Sequence, residues 1–511
     1  MTFRRSPRVR GTLTWLLGAA LVAGCTPSRA QPQAEGAGQG PVIGGEAPPP
    51  ASPVPPPVIP PGASPSVDAG RQSAGVVAAG GIGAPYNYGP AVMQDGDRVR
   101  MWWCSQYPAA RPPGDDILHA ESAGIAGPFT GPGGGPAQAV LSGNPGAFDG
   151  VHTCDPSVLK VDGVYYLYYT GAAGDHALGN SIGMATSPDG INWTRANGGN
   201  PILNPARDTA RENTYGAGQP AVVFLDGWFY LMFTDTTGRA AGWNGAGQFI
   251  VRSKDPGFAT GVEALGERGF EPVPNTQAPR TRSLVDAFSA DLMWIEALES
   301  FGVAHETEDG TTVTFLDRNF SLRPYPPVLV PGPWKEGPGL LRQPDGHAPI
   351  SVDDPCGRVP LDVVRATMIG EAGAPTHLKH FGIDLHGIDG CGDVNRMLTV
   401  LDGFAMPSPV RTMDLVAGGS VVRVDRRTVA DRLAVRLLDQ RIPGMERVPV
   451  AAHLATGVPA VQAPTGGVGL LLNDGKLWAV RPPGVAELNG SAVTPITDEQ
   501  WNGYPAGLAL G

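Results

Sequence analysis

The chain has 511 residues, with 37 Lys plus Arg against 48 Asp plus Glu and a formal net charge of −11. That acidic balance, with only 17% charged residues, argues against a nucleic acid as partner, because phosphate binding needs clustered cations. The length leaves ample material for a large core and a second domain.

The first 25 residues read as a targeting segment. Arg4, Arg5, Arg8 and Arg10 precede an apolar run from Leu13 to Ala23 that ends in LVAGC, a run too short to span a bilayer comfortably. The segment resembles a bacterial lipoprotein signal. That resemblance implies cleavage before Cys25, lipid on its thiol, and a membrane-anchored protein on the extracytoplasmic side of the cell envelope. An ordinary secretory signal is the alternative. Loss of its four arginines takes the net charge from −11 to −15. Residues 26–75 are rich in Pro, Gly, Ala and Ser and are predicted to form an extended, semi-rigid linker.

A motif then recurs. It reads GPAVMQDGDRVRMWWC from Gly89, DPSVLKVDGVYYLYYTG from Asp155 and QPAVVFLDGWFYLMFTD from Gln219. Its prolines at 90, 156 and 220 fall 66 and 64 residues apart, and Ser122, Ser187 and Ser253 mark a second phrase with the same beat. Asp95-Gly96, Asp162-Gly163 and Asp226-Gly227 are hairpin signals between apolar runs. Repetition of β-rich units at this period predicts a propeller. Trp102 and Trp103 are consecutive in a strand, face opposite ways and read as packing.

Two weaker units follow, around Asp309-Gly310 and Asp345-Gly346. With units at about 76–133, 150–206, 214–275, 284–323 and 334–369, the fold is predicted to be all-β. It is a five-bladed β-propeller over 76–369 with a smaller α+β accessory domain over 370–511. In that last part, VVRVDRRTVADRLA from Val421 and LWAVRPPGVAELNG from Leu477 each suggest a strand followed by a short helix. Once Cys25 is assigned to lipid, four cysteines remain in an oxidising compartment, which allows three pairings. The expected pairs are Cys104–Cys154 and Cys356–Cys391. No cysteine or histidine spacing suggests a metal site, and no cofactor is expected, although the channel of such a fold has room for an ion.

The phrases AFDGVHTCDPSVLKVDGVYYLYYTG and SIGMATSPDGINWTRANGGNPIL resemble the five-bladed glycoside hydrolases of family 43 and their relatives. The resemblance covers about 80–370. It implies inverting hydrolysis of a glycosidic bond by a carboxylate base, a carboxylic acid and a third carboxylate that tunes the acid. Asp155 matches the DPSV position of the base, and Glu336 the EGP phrase of the acid. Asp291 in SADLMW is the expected modulator, with Asp286 just upstream. They fall on units two, four and five, where the family uses one, three and four, so the steps around a closed ring are unchanged. His152 and Trp243 are candidate substrate contacts, Trp243 because a Gly-rich loop gives it little reason to be buried.

Each residue also has a plainer reading. Asp-Pro and Glu-Gly-Pro at strand starts serve as turn devices, and a histidine beside them is often structural. The carbohydrate partner is therefore expected either as a substrate or as the ligand of a non-catalytic binding propeller. A purely structural surface protein is the third reading.

Overall fold

The structure is a computed structural model and describes residues 64–68, 70–78, 85–107, 114–174 and 179–511. The targeting segment, Cys25 and most of the predicted linker lie outside the described residues. Strands dominate and helices are few.

Five antiparallel sheets follow one another. Their first strands are Asn87–Asp95, His152–Val161, Ala217–Leu225, Ala290–Ile295 and Glu336–Arg342. Each hydrogen-bonds to the next strand of its own sheet, and each neighbours the first strand of the following sheet. The fifth first strand returns to the first by parallel pairing of Leu341 with Val92, so the five first strands close a ring. The hairpins form where the Asp-Gly pairs predict them. Asp162 and Gly163 (φ 51° and 80°), and Asp226 and Gly227 (51° and 77°), take the left-handed conformations of a type I′ turn.

The core lies between neighbouring sheets. Trp102 packs with Val158, Leu167 and Tyr169 toward the second sheet. Trp103, on the opposite face, packs with Leu341, Val364 and Leu378 of the fifth. Both rings are wholly buried. Strands covered on both faces need the apolar runs seen in the sequence.

Two boundaries differ from those expected. The strand Pro375–His386 pairs along its length with Arg358–Ile369, so the fifth sheet continues past 370. Residues predicted as linker supply that sheet's outer edge, where Ser66–Val67 and Arg71–Gln72 pair with Pro375–His386. Arg71 fixes them by donating to Asp362 at 2.8 Å and to Asp384 at 2.7 Å.

The C-terminal residues form two smaller sheets and short helices. Strand Ser420–Val424 precedes helix Arg427–Leu433, and strand Leu477–Val480 precedes helix Val485–Asn489, matching the expected strand–helix echo. Met397, Leu401 and Phe404 share one core with Phe315 of the fourth sheet and Leu361 and Ile383 of the fifth. This part is therefore packed onto the ring rather than loosely appended. Disulfides join Cys104 to Cys154 and Cys356 to Cys391.

Candidate active site

The starts of the five first strands meet around a small cavity that opens to solvent. Four of them supply a residue followed by proline: Gly89-Pro90, Asp155-Pro156, Gln219-Pro220 and Gly337-Pro338. At each of these four the strand register slips, as in a β-bulge, and the residue before proline is left-handed, with φ of 56°, 46°, 51° and 60°. A bulge re-aims the side chain that follows the kink. Glycine takes this conformation without strain, whereas other residues bear about 1–2 kcal/mol. Asp155 and Gln219 bear that cost, and their side chains line the cavity. The fourth start lacks the proline and supplies Ser289, Ala290 and Asp291.

Asp155, Asp291 and Glu336, the three predicted acids, thus line one cavity. Their surroundings differ. Burial pushes the Asp155 carboxyl up to about 7, with the negative charge of Asp115 adding to the rise and hydrogen bonds from Thr170 and Tyr215 opposing it. The Tyr215 hydroxyl lies 3.4 Å from Asp155 Oδ2. Glu336 is pushed up to about 8, first by burial and then by the charges of Asp155 and Asp115. Gln219 Nε2 donates to its Oε1 at 3.4 Å. Tyr88 and Tyr215 are held well above the usual phenol range, first by burial and then by carboxylate charge, from Asp115, Asp155 and Glu336 at Tyr88 and from Asp155 and Glu336 at Tyr215.

Asp291 is committed elsewhere. It accepts from the backbone amides of Leu292 and Leu340, both at 2.8 Å, and pairs with buried Arg342 at 3.2 Å. Burial raises its pKa while Arg342 opposes. The carboxylate expected to tune the acid is therefore tied into an internal ion pair. The negative field at Glu336 comes from Asp155 and Asp115.

Asp115 was not singled out in the sequence. It sits immediately before the third strand of the first sheet, Asp116–Ser122, and accepts from the Tyr86 hydroxyl. Its other oxygen is 2.7 Å from His152 Nδ1. His152, the candidate substrate contact, is buried in that bond and is not among the residues lining the cavity. Trp243 is also outside that lining, on an exposed loop at the same end of the third sheet. Among the described residues, two acidic clusters have metal-like spacing. In one, the sulfurs of Cys104 and Cys154 are already bonded to each other. In the other, Asp384 is paired with Arg71 and Arg358. Neither donor set suits a cation.

No family model and no curated protein matches the chain. Solved structures similar to it include Zg3597, a family 117 glycoside hydrolase produced by the marine bacterium Zobellia galactanivorans, at 14% identity. That match covers 64% of this chain and 92% of that one, with a TM-score of 0.43. The catalytic domain of Coprinopsis cinerea GH62 alpha-L-arabinofuranosidase is 12% identical over 61% of this chain and 96% of that one, with a TM-score of 0.39. The alpha-L-arabinofuranosidase PaAbf62A from Podospora anserina is 13% identical over 63% and 98%, with a TM-score of 0.40. These structural neighbours are glycoside hydrolases.

Proposed function

We propose that this chain is a five-bladed propeller that hydrolyses glycosidic bonds, with Glu336 as general acid and Asp155 as general base. The observation that carries the reading is the pair of carboxyls lining one open cavity, Glu336 holding its proton to about 8 and Asp155 to about 7. A general acid must be protonated at working pH, and its partner must ionise first. Burial of both groups, with the charge of Asp155 acting on Glu336, supports that order.

In the proposed reaction, Asp155 takes a proton from water as the water oxygen bonds to the anomeric carbon. The glycosidic carbon–oxygen bond breaks, and the departing oxygen takes the proton of Glu336. Solvent then returns a proton to Glu336 and removes one from Asp155. Water attacking the face opposite the leaving group inverts the anomeric centre. Asp115 adds to the charge of Asp155 that, after burial, keeps Glu336 protonated, a share of the role first expected of Asp291, which pairs with Arg342. A lipid on Cys25 would tether the protein to a membrane through the Pro-rich linker. Loss of labelled fatty-acid incorporation in Cys25→Ala is the expected outcome.

The deciding experiment compares the full chain with Glu336→Gln on aryl glycosides and on plant and bacterial glycans. Turnover reduced by about 10²–10⁴-fold is expected from removal of a general acid. Glycan binding with no turnover by either protein would favour the binding propeller instead.

A further inference from the structure

Trp243 is the one aromatic among the large apolar side chains that the described residues expose, at 73%. Burying such a ring is worth about 2–3 kcal/mol, and this ring contributes almost none of it to the fold. The loop beneath it is nevertheless braced. Arg211 donates to the carbonyls of Gly238, Ala241 and Gly242 at 3.0, 3.1 and 3.2 Å. Asn213 Nδ2 donates to the Asn244 carbonyl at 2.9 Å, and the Ala246 amide to the Trp243 carbonyl at 3.1 Å. The backbone that presents the ring is fixed while the ring itself faces water.

The loop also stands beside the cavity. It joins the second and third strands of the third sheet and leaves that sheet where Ala217 pairs with Asp235, the end at which Gln219 lines the cavity. A Cβ on Gly242 would stand 2.9 Å from Asp286 Oδ1, so the loop lies against the Asp286 side chain. Three residues beyond Asp286, Ser289 lines the cavity. Three residues span at most about 10 Å, which is within reach of one or two sugar units.

We propose that Trp243, flanked by the exposed Asp286 carboxylate, is a stacking platform for a sugar ring outside the cavity, so that the protein recognises a short glycan chain rather than an isolated sugar. This rests on the hydrolase reading of the cavity. An indole face matches the apolar face of a sugar ring, and a carboxylate beside it accepts from ring hydroxyls.

The test measures binding by calorimetry to xylan-, arabinan- and mannan-derived ladders, from monosaccharide to hexasaccharide. The full-length Glu336→Gln protein is used to prevent hydrolysis, with and without Trp243→Ala and Trp243→Phe. Affinity is expected to rise with chain length. Trp243→Ala should weaken the longer members by about three- to tenfold and leave the monosaccharide unchanged, with Trp243→Phe between. Equal weakening of all members, unchanged affinity for the longer ones, or binding of no member overturns the platform. So does self-association that Trp243→Ala abolishes while ladder affinities stay the same. Absence of turnover by the wild-type protein on every ladder member would sink the hydrolase reading separately, without touching these affinities.

Discussion

Gly89 faces Asp155 so closely that a methyl group on it would stand 3.0 Å from Asp155 Oδ1. On its other side a Cβ at Gly337 would come within 2.8 Å of the Gly89 Cα. The first strand start therefore carries no functional side chain because its neighbours occupy the space. Gly89→Ala adds both this contact and a left-handed strain of about 1–2 kcal/mol. It is expected to lower the melting temperature slightly and turnover by about 10²-fold, since small misplacements of reacting groups cost that much. Thermal melts and kcat/KM on one aryl glycoside check it. Wild-type turnover in a folded Gly89→Ala protein would remove Asp155 from the mechanism.

The two carboxyls predict a bell-shaped pH profile. Activity should rise as Asp155 ionises through about 7 and fall as Glu336 ionises through about 8, with the apparent values belonging to the coupled pair. Asp115 raises both, so Asp115→Asn should move both limbs to lower pH. An unmoved profile in that variant would exclude Asp115 from the site's electrostatics.

The same groups make stability pH-dependent with a definite sign. Both have folded pKa values above their ordinary ones, so between about pH 4 and 8 the folded state binds more protons than the unfolded. Stability then falls as pH rises through that window and levels off above about 8. Glu336→Gln removes the buried charge. It should melt higher than wild type at pH 8.5, by an amount on the order of 1–3 kcal/mol, with the difference vanishing near pH 4. A difference of equal size at both pH values would contradict the linkage.

The legibility of this fold follows the proline. Pro90, Pro156, Pro220 and Pro338 each mark a bulged strand start, and the proposed Asp155 and Glu336 stand in those phrases. The fourth start has Ser289 and Ala290 instead, and its Asp291 both lines the cavity and pairs with Arg342, a partner that no phrase in the sequence indicates. Asp115 lies at the start of a third strand, outside the repeated phrase, and meets Asp155 only when the sheets close. The edge strands Ser66–Val67 and Arg71–Gln72 are two residues each, too short for any period to register. Their partners lie about 300 residues away in sequence.

Those edge strands should matter for stability. Arg71 bonds to Asp362 and Asp384, and Asp362 in turn is 2.6 Å from His380 Nε2. A fragment beginning at residue 76 lacks the Arg71 bonds and the pairing of Ser66–Val67 and Arg71–Gln72, which uncovers much of the Pro375–His386 edge. It is expected to melt below a fragment beginning at 64. Arg71→Ala in the longer fragment should account for about 2 kcal/mol of the difference. Equal melting of the two fragments would show that the edge strands add nothing to the ring.

The Cys104–Cys154 bond couples stability to chemistry, because Cys154 directly precedes the proposed base. The bridge ties the second strand of the first sheet to the bulge that aims Asp155, and it closes a loop with a sequence separation of 50. Chain entropy alone assigns such a loop about 4 kcal/mol. Loss of Cys356–Cys391, with a separation of 35, should cost nearly as much by the same entropy, yet it lies away from the cavity. The two double-serine variants therefore separate the effects. Both should unfold at lower denaturant, but only Cys104→Ser/Cys154→Ser should lose turnover below its own midpoint, where the protein is still folded. If the two variants lost activity in parallel with their folded fraction, the Cys104–Cys154 bridge would act on stability alone and Asp155 would be aimed by the bulge without its help.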